Sequence, residues 1–260
     1  MRSILVNADN TPDLDTQLET ALDLARTAGG HVTVLVDTPV SRYVAMDPMG
    51  GSYVLSDILT EACAKDDARA EQIIARLSRG DVAFDVIRSE AELLEALTAA
   101  ARLADLTVVS RASSLGGQLA LMSRTPVLVL GHGVPLSATP NTVCIGWDGG
   151  EQAAIALRSA VPLLAASKSV TLLTVAEKPG GFPATDALRY LSRHGIHAEL
   201  EELQRRGSVE ETIAVAVARH GADLLVMGAY GKSRLREFLF GGVTAYFLSE
   251  PEGPALLLAH

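Results

Sequence analysis

What most restricts this chain is a regular alternation of short β-rich runs with longer helical patterns, gone through twice from end to end. Ile4–Ala8 is a short apolar run. Leu14–Ala28 follows with apolar residues at Leu18, Ala21, Leu22 and Ala25, offsets of three and four that place them on one helix face. Gly29 and Gly30 stop that helix, and His31–Val36 reads as a second strand. After a Pro/Met/Gly-rich stretch come a helix over Val54–Leu77, a strand over Val82–Ile87, a helix over Glu90–Leu103, and strands at Leu106–Ser110 and Thr125–Leu130. The order then recurs: strand Thr142–Gly146, helix Glu151–Ala165, strand Ser169–Val175, helix Ala184–Arg193, strand Ile196–Leu203, helix Val209–His220, strand Leu224–Met227, helix Arg234–Ser249 and strand Ala255–Leu258. Strands separated by helices of this length imply βαβ crossovers, and therefore an α/β fold with a parallel sheet.

Matching segments show that the recurrence is an internal repeat. Ala104-Asp105-Leu106 corresponds to Ala222-Asp223-Leu224 at an offset of 118, Asp9 to Asp148 at 139, Val32 to Val170 at 138 and Pro126 to Pro254 at 128. The first copy therefore carries about 20 extra residues after its second strand, within Pro39–Ser56 and the helix beyond. The second carries about 10 extra after its fourth strand. The third helices open alike, with candidate capping boxes Ser89…Glu92 and Ser208…Glu211. The expected domains are 1–135 and 140–260, joined near Gly131–Pro140, where Pro135 and Pro140 interrupt any periodic pattern. Each copy should form a five-stranded parallel sheet. Their last strands, with edges that invite pairing, should meet across a pseudo-twofold axis.

Composition narrows the functional classes. Apolar residues are 48% and charged residues 20% of the 260, which suits a buried core and not a disordered chain. Lys and Arg number 22 against 31 Asp and Glu, a net −9, the wrong sign for a general nucleic-acid binder. Cys63 and Cys144 are too few for a disulfide framework, and neither belongs to a C-x-x-C pair. No apolar run approaches the ~18 residues of a membrane span, and the short apolar stretch Ile4–Val6 ends by Asp9, unlike a signal peptide. A cytoplasmic protein is the expectation. His194 and His197, the closest histidine pair, are separated by the helix-ending Gly195, so no metal site is expected. Ser113 and Ser114 have no G-x-S-x-G elbow, and the chain has no G-x4-G-K-[ST] phosphate loop.

Ligands of parallel sheets bind beyond the carboxyl ends of the strands, at the switch in strand order. After the fourth strand of the second copy stands Gly228-Ala-Tyr-Gly231, then nine residues, then Gly241-Gly242-Val243-Thr244. Glycines there let backbone N–H groups turn inward toward an anion. Lys232, Arg234 and Arg236 add positive charge at the same place. Asp148, with Gly149-Gly150 behind it, ends the first strand where it can accept ribose hydroxyls, and Trp147 stands beside it.

The Gly228…Gly231-(nine residues)-Gly241 segment resembles the G-x-x-G-x9-G-[ST] signature of ATP-binding universal stress proteins, and most of the chain resembles a tandem of two such domains. The resemblance implies a Rossmann-like adenine-nucleotide fold. It also implies ribose contact by Asp148, adenine held at the Val175 backbone with Met227 lining the pocket, and phosphates held at Gly228, Gly231 and Gly241 with Val243 just beyond them. The Gly242 backbone N–H and the nearby Lys232 complete the candidate nucleotide-binding residues. ATP, with Mg2+ as a companion ion, is the implied ligand, and the implied role is regulation in a stress response with at most weak ATPase activity. Nucleic acid and membrane are not expected partners; an intrachain pseudo-dimer is, with homodimers also open. Two departures matter. Gly242 replaces the usual Ser or Thr, and Ser110-Arg-Ala-Ser-Ser-Leu-Gly116-Gly117 replaces the signature in the first copy, which is read as a degenerate domain without the site. A slow ATPase or adenylating enzyme, and an interaction module that has lost nucleotide binding, remain the alternatives.

Overall fold

The computed structural model describes residues 1–8, 11–46, 52–175, 181–231 and 242–260. Asp9, Lys232, Arg234, Arg236 and Gly241 lie outside them. The first half runs β1 (Ser3–Asn7), α1 (Leu14–Ala28), β2 (His31–Asp37), a short hairpin of β3 (Val44–Met46) and β4 (Ser52–Val54), α2 (Ser56–Leu77), β5 (Ala83–Ser89), α3 (Leu93–Ala100), β6 (Leu106–Ser110), α4 (Gly116–Met122) and β7 (Val127–Leu130). The second runs β8 (Thr142–Gly146), α5 (Glu151–Ala166), β9 (Ser169–Val175), α6 (Ala184–Arg193), β10 (Glu199–Leu203), α7 (Val209–His220), β11 (Leu224–Gly228), α8 (Gly242–Ser249) and β12 (Ala255–Ala259).

The two five-stranded sheets are fused. One ten-stranded sheet has the order β10-β9-β8-β11-β12-β7-β6-β1-β2-β5, and within each half every pairing is parallel. The seam between β12 and β7 is antiparallel, with Leu256 opposite Val129 and Leu257 opposite Leu128. By the 128-residue offset of these strands, the two pairs exchange under a twofold rotation, so an axis passes between them. Pairing here removes two apolar edges that would otherwise template association with other chains. Alternating side chains of the strands supply a core on each face. Val6, Val108, Ile145 and Val226 pack under α1, α2, α5 and α6, while Leu5, Val109, Leu225 and Leu258 pack under α3, α4, α7 and α8.

Arg111 reinforces the seam. Its Nη1 donates to the carbonyls of Glu250, Pro251 and Gly253 at 2.7, 3.3 and 3.2 Å, and its Nη2 to that of Pro254 at 2.6 Å, tying the first half to the turn before β12. The connection between the halves is fastened along α1: Leu136 N–H donates to Thr20 Oγ1 at 2.9 Å and Ala138 N–H to Asp23 Oδ2 at 2.7 Å.

Local rules account for most element ends. Gly29 closes α1 in the left-handed conformation, and Ser208 and Glu211 form a full capping box on α7. The matching box on α3 does not form. Glu92 is itself the N-cap residue, Ser89 Oγ accepts from Ala91 N–H, and α3 begins at Leu93. The reason lies in the additional segment after β2, whose Ser41 hydroxyl donates to Glu92 and whose Arg42 pairs with it at 3.9 Å. The hairpin β3–β4 in that segment was not expected either, since its Pro/Met/Gly composition hides any period-two pattern.

Candidate functional site

In the second half β8 is flanked by β9 and by β11, and the chain turns in opposite directions from it, which opens a crevice beyond the strand ends. A cleft of about 830 Å³ occupies that crevice, within the ~300–1,000 Å³ of ordinary small-molecule sites. Seven of the nine anticipated site residues line it: Asp148, Val175, Met227, Gly228, Gly231, Gly242 and Val243. The other two, Lys232 and Gly241, fall outside the described residues.

Each lining residue is placed by its element. Trp147 continues β8 by donating its N–H to the Leu173 carbonyl at 2.9 Å, which carries Asp148 just past the sheet. Asp148 is exposed, and its Oδ1 accepts from Gly150 N–H at 2.8 Å, so the carboxylate is oriented by the turn that starts α5. Gly228 ends β11 against that same helix. A Cβ there would stand 2.6 Å from Ala153 N and 2.7 Å from the Gln152 carbonyl carbon, so only glycine permits the approach. A Cβ on Gly231 would lie 3.0 Å from Asp148 Oδ2, which brings the loop after β11 against the carboxylate. Tyr230, between them, has a positive φ of 54°, and its N–H donates to Thr244 Oγ1 at 3.3 Å. Thr244 thus fixes the first turn of α8 to the glycine loop.

Several lining residues were not anticipated. Glu202 on β10 and Glu210 on α7 join Asp148, and among the described lining residues the charged groups are all carboxylates. Glu210 stands beside α8: a Cβ on Gly242 would lie 3.5 Å from its Oε1 and 3.6 Å from its Oε2. Phe182 forms another wall. These residues stand 18 to 46 positions before Gly228 and follow no spacing rule, so only the strand order brings them to the glycine motif. Lone Trp147 carried a signal, standing next to Asp148 at a strand end. The residue is 7% exposed and belongs to the core, while its Nε1 donates to the Phe182 carbonyl.

Other reactive groups are elsewhere or muted. Burial pushes the Cys144 thiol up to about 11, which leaves it protonated and inert. Among the described residues no group of three or more His, Cys, Asp and Glu is placed to hold a metal ion. No described helix is long and apolar enough to cross a membrane.

Residues 140–258 match the model of the universal stress protein family, so the second half of the chain is a domain of that family. Over its whole length the chain has the fold of a universal stress protein from Archaeoglobus fulgidus DSM 4304, with a TM-score of 0.72 and 14% identity, covering 99% of this chain and 95% of that one. It is also similar to a universal stress protein, described as putative, from Pseudomonas aeruginosa UCBPP-PA14 (TM-score 0.64, 17% identity, 100% of this chain and 93% of that one). A protein of unknown function from Pseudomonas aeruginosa PAO1 is similar at TM-score 0.64 and 16% identity, over 100% of this chain and 92% of that one. No curated protein matches the chain.

Proposed function

We propose that the second half, residues 140–260, binds an adenine nucleotide, ATP with Mg2+, and that the protein acts in the cytoplasm as a nucleotide-responsive regulator of a stress response. The first half, residues 1–135, is on this reading a degenerate copy that serves as a built-in partner. The observation that supports it best is the convergence of Asp148, Val175, Met227, Gly228, Gly231, Gly242 and Val243, from four separate stretches of chain, on one cleft at the switch in strand order.

The cleft suits such a ligand chemically. Leu173, Val175, Leu225, Met227 and Ile213 give an apolar end that fits a base, and Asp148 offers a carboxylate that accepts from ribose hydroxyls. Beyond Asp148, glycine backbone and the start of α8 present N–H groups without side chains in the way, as a phosphate requires. A bound Mg2+ would offset the negative charge that a phosphate tail would bring toward Glu210, whose carboxylate stands beside Gly242. Titration of the purified chain with ATP and adenosine, followed by calorimetry, tests the reading. One site per chain with ATP bound more tightly than adenosine is expected. No heat with either ligand, under conditions where the chain is folded, overturns it.

Glu210 favours a second reading, slow ATP hydrolysis. A carboxylate beside Gly242 is placed to accept a proton from a water that attacks the terminal phosphorus, with ADP leaving. Under this reading Glu210→Gln abolishes phosphate release and leaves ATP affinity within a few-fold. Unchanged turnover in that variant eliminates it.

A further inference from the structure

Phe182 is a large apolar side chain left 70% exposed, yet its backbone is held at two points. Its carbonyl accepts from Trp147 Nε1 at 3.1 Å, and its N–H donates to the Gly149 carbonyl at 2.9 Å. The two strands of backbone touch so closely that a Cβ on Gly149 would lie 2.7 Å from the Phe182 carbonyl oxygen, and one on Gly181 would lie 2.7 Å from the Gly149 carbonyl oxygen. Both glycines have positive φ, 71° and 100°, which side chains other than glycine rarely adopt. Pro183 then fixes the exit into α6 as its N-cap residue. Residues on both sides of Asp148 therefore hold Phe182 in place, and Phe182 lines the cleft.

Such a pinned, solvated aromatic is not explained by packing. Burying it in the core would gain the apolar transfer energy that its position forgoes. It lines the cleft close to Asp148, in company with Val175 and Pro183 at the end where the strands leave apolar surface.

We propose that Phe182 is the base-stacking residue of the cleft, so that the site selects a planar aromatic base, and that Trp147 is the positioning residue that sets the Phe182 backbone. This rests on the nucleotide-binding reading above and adds to it the part of the ligand that carries specificity. Stacking on an aromatic side chain tolerates any base, since each has a π face. Phe182 thus distinguishes nucleotides from sugar phosphates, while the choice among bases is left to the Val175 backbone.

Trp147 is the single tryptophan of the chain, so its fluorescence reports the site directly. Adenosine, AMP, ATP and ribose 5-phosphate are each titrated into the full chain, by fluorescence and by calorimetry. Phe182→Ala is expected to weaken adenosine, AMP and ATP alike, by about tenfold or more, and to leave ribose 5-phosphate unchanged. Phe182→Tyr keeps wild-type affinities, whereas Phe182→Leu, apolar but without a π face, follows Phe182→Ala. Trp147→Phe, measured by calorimetry, retains a ring in the core but loses the N–H; it weakens the three base-containing ligands and leaves ribose 5-phosphate unchanged. Equal losses for ribose 5-phosphate and adenosine would make Phe182 a structural wall and overturn the inference, as would wild-type adenosine affinity in Phe182→Ala. If the wild type binds none of the four, the nucleotide reading itself fails, a result distinct from either.

Discussion

The two halves share strand order, crossover pattern and a twofold seam, but differ in what stands beyond their strand ends. In the second half Gly228 lets β11 close on the start of α5, and a cleft of about 830 Å³ remains open. At the corresponding place the first half has Ser110, whose hydroxyl donates to Asp13 Oδ2 at 2.6 Å. Asp13 is 1% exposed, and its other oxygen meets His132 Nδ1 at 2.6 Å and accepts from Gly133 N–H at 3.3 Å. Burial raises the Asp13 carboxyl, yet the hydrogen bonds from Ser110, His132 and Gly133 together outweigh it and hold the group below its ordinary range. Arg42 and Glu92, paired at 3.9 Å, and Ser113 then border a pocket of about 290 Å³. Polar side chains that in one copy would crowd a ligand are used in the other to fasten the connection between halves and the seam. On the proposed reading, one topology serves as receptor in one half and as scaffold in the other, according to a few residues at the strand ends.

Exchanging those residues is the most severe way to break the comparison. Gly228→Ser puts the Ser110 side chain into the second half, where its Cβ would meet the backbone of Ala153 and Gln152 at 2.6 and 2.7 Å. Because that backbone belongs to α5, the helix start must move, at about 1–3 kcal/mol. Nucleotide affinity should fall tenfold or more, and the thermal midpoint should fall with it. The reverse exchange, Ser110→Gly, should not create a second site, since Arg111 and the segment around Arg42 remain. Calorimetric stoichiometry near two per chain in the wild type or in Ser110→Gly would end the distinction between receptor and scaffold.

Arg111 tests the scaffold half alone. Its guanidinium serves four carbonyls of the turn before β12, and Arg111→Ala removes these charge-assisted bonds together. A loss of about 2 kcal/mol in urea denaturation is expected, with adenosine affinity within twofold of wild type. A large fall in affinity without a fall in stability would mean that Arg111 acts through the ligand site.

A smaller effect is expected at the end of β2. Asp37 occupies the place of Val175, and burial raises its carboxyl pKa, opposed mainly by Arg42. A raised pKa means the folded state binds a proton more tightly than the unfolded one. The charged form therefore costs stability above the folded pKa, and that cost fades as pH falls through it. Asp37→Val should gain less than about 1 kcal/mol at neutral pH, since the site is partly solvated. The gain should shrink as the pH falls below the raised pKa. A gain that grew on acidification would contradict the sign of the shift.

Much of the fold was legible because its signals are local. Leu14–Ala28, Ala184–Arg193 and Val209–His220 are helices over their expected ranges, each with a stop or cap in the sequence: Gly29, Gly195 and Ser208 with Glu211. The expected Ser89…Glu92 box failed because Glu92 is taken by Ser41 and Arg42, residues some 50 positions away. Site residues followed the same division. Gly228 and Gly231 announce themselves by their spacing, and Asp148 by the strand it ends. Phe182, Glu202 and Glu210 enter the cleft only through the order β10-β9-β8-β11, which no local pattern encodes.

The finest test concerns Gly242, where a Ser or Thr would complete the glycine signature. A serine hydroxyl aimed at phosphate oxygens would ordinarily add a charge-assisted hydrogen bond, worth ~1.5–3 kcal/mol. The Glu210 carboxylate changes that expectation, because its oxygens stand 3.5 and 3.6 Å from where the new Cβ would be. A hydroxyl one bond further out can donate to Glu210 instead of to the ligand, and it cannot donate to both with its single proton. Gly242→Ser alone should therefore tighten ATP no more than about threefold relative to adenosine, roughly 0.6 kcal/mol. In the Glu210→Gln background the competing carboxylate is replaced by an amide, a weaker acceptor without charge. The same Gly242→Ser change should then tighten ATP by about tenfold while leaving adenosine unaltered. The non-additivity of the two substitutions is the quantity to measure, by a double-mutant cycle on ATP affinity. Additive effects would show that the residue 242 hydroxyl and Glu210 do not share the phosphate end of the cleft.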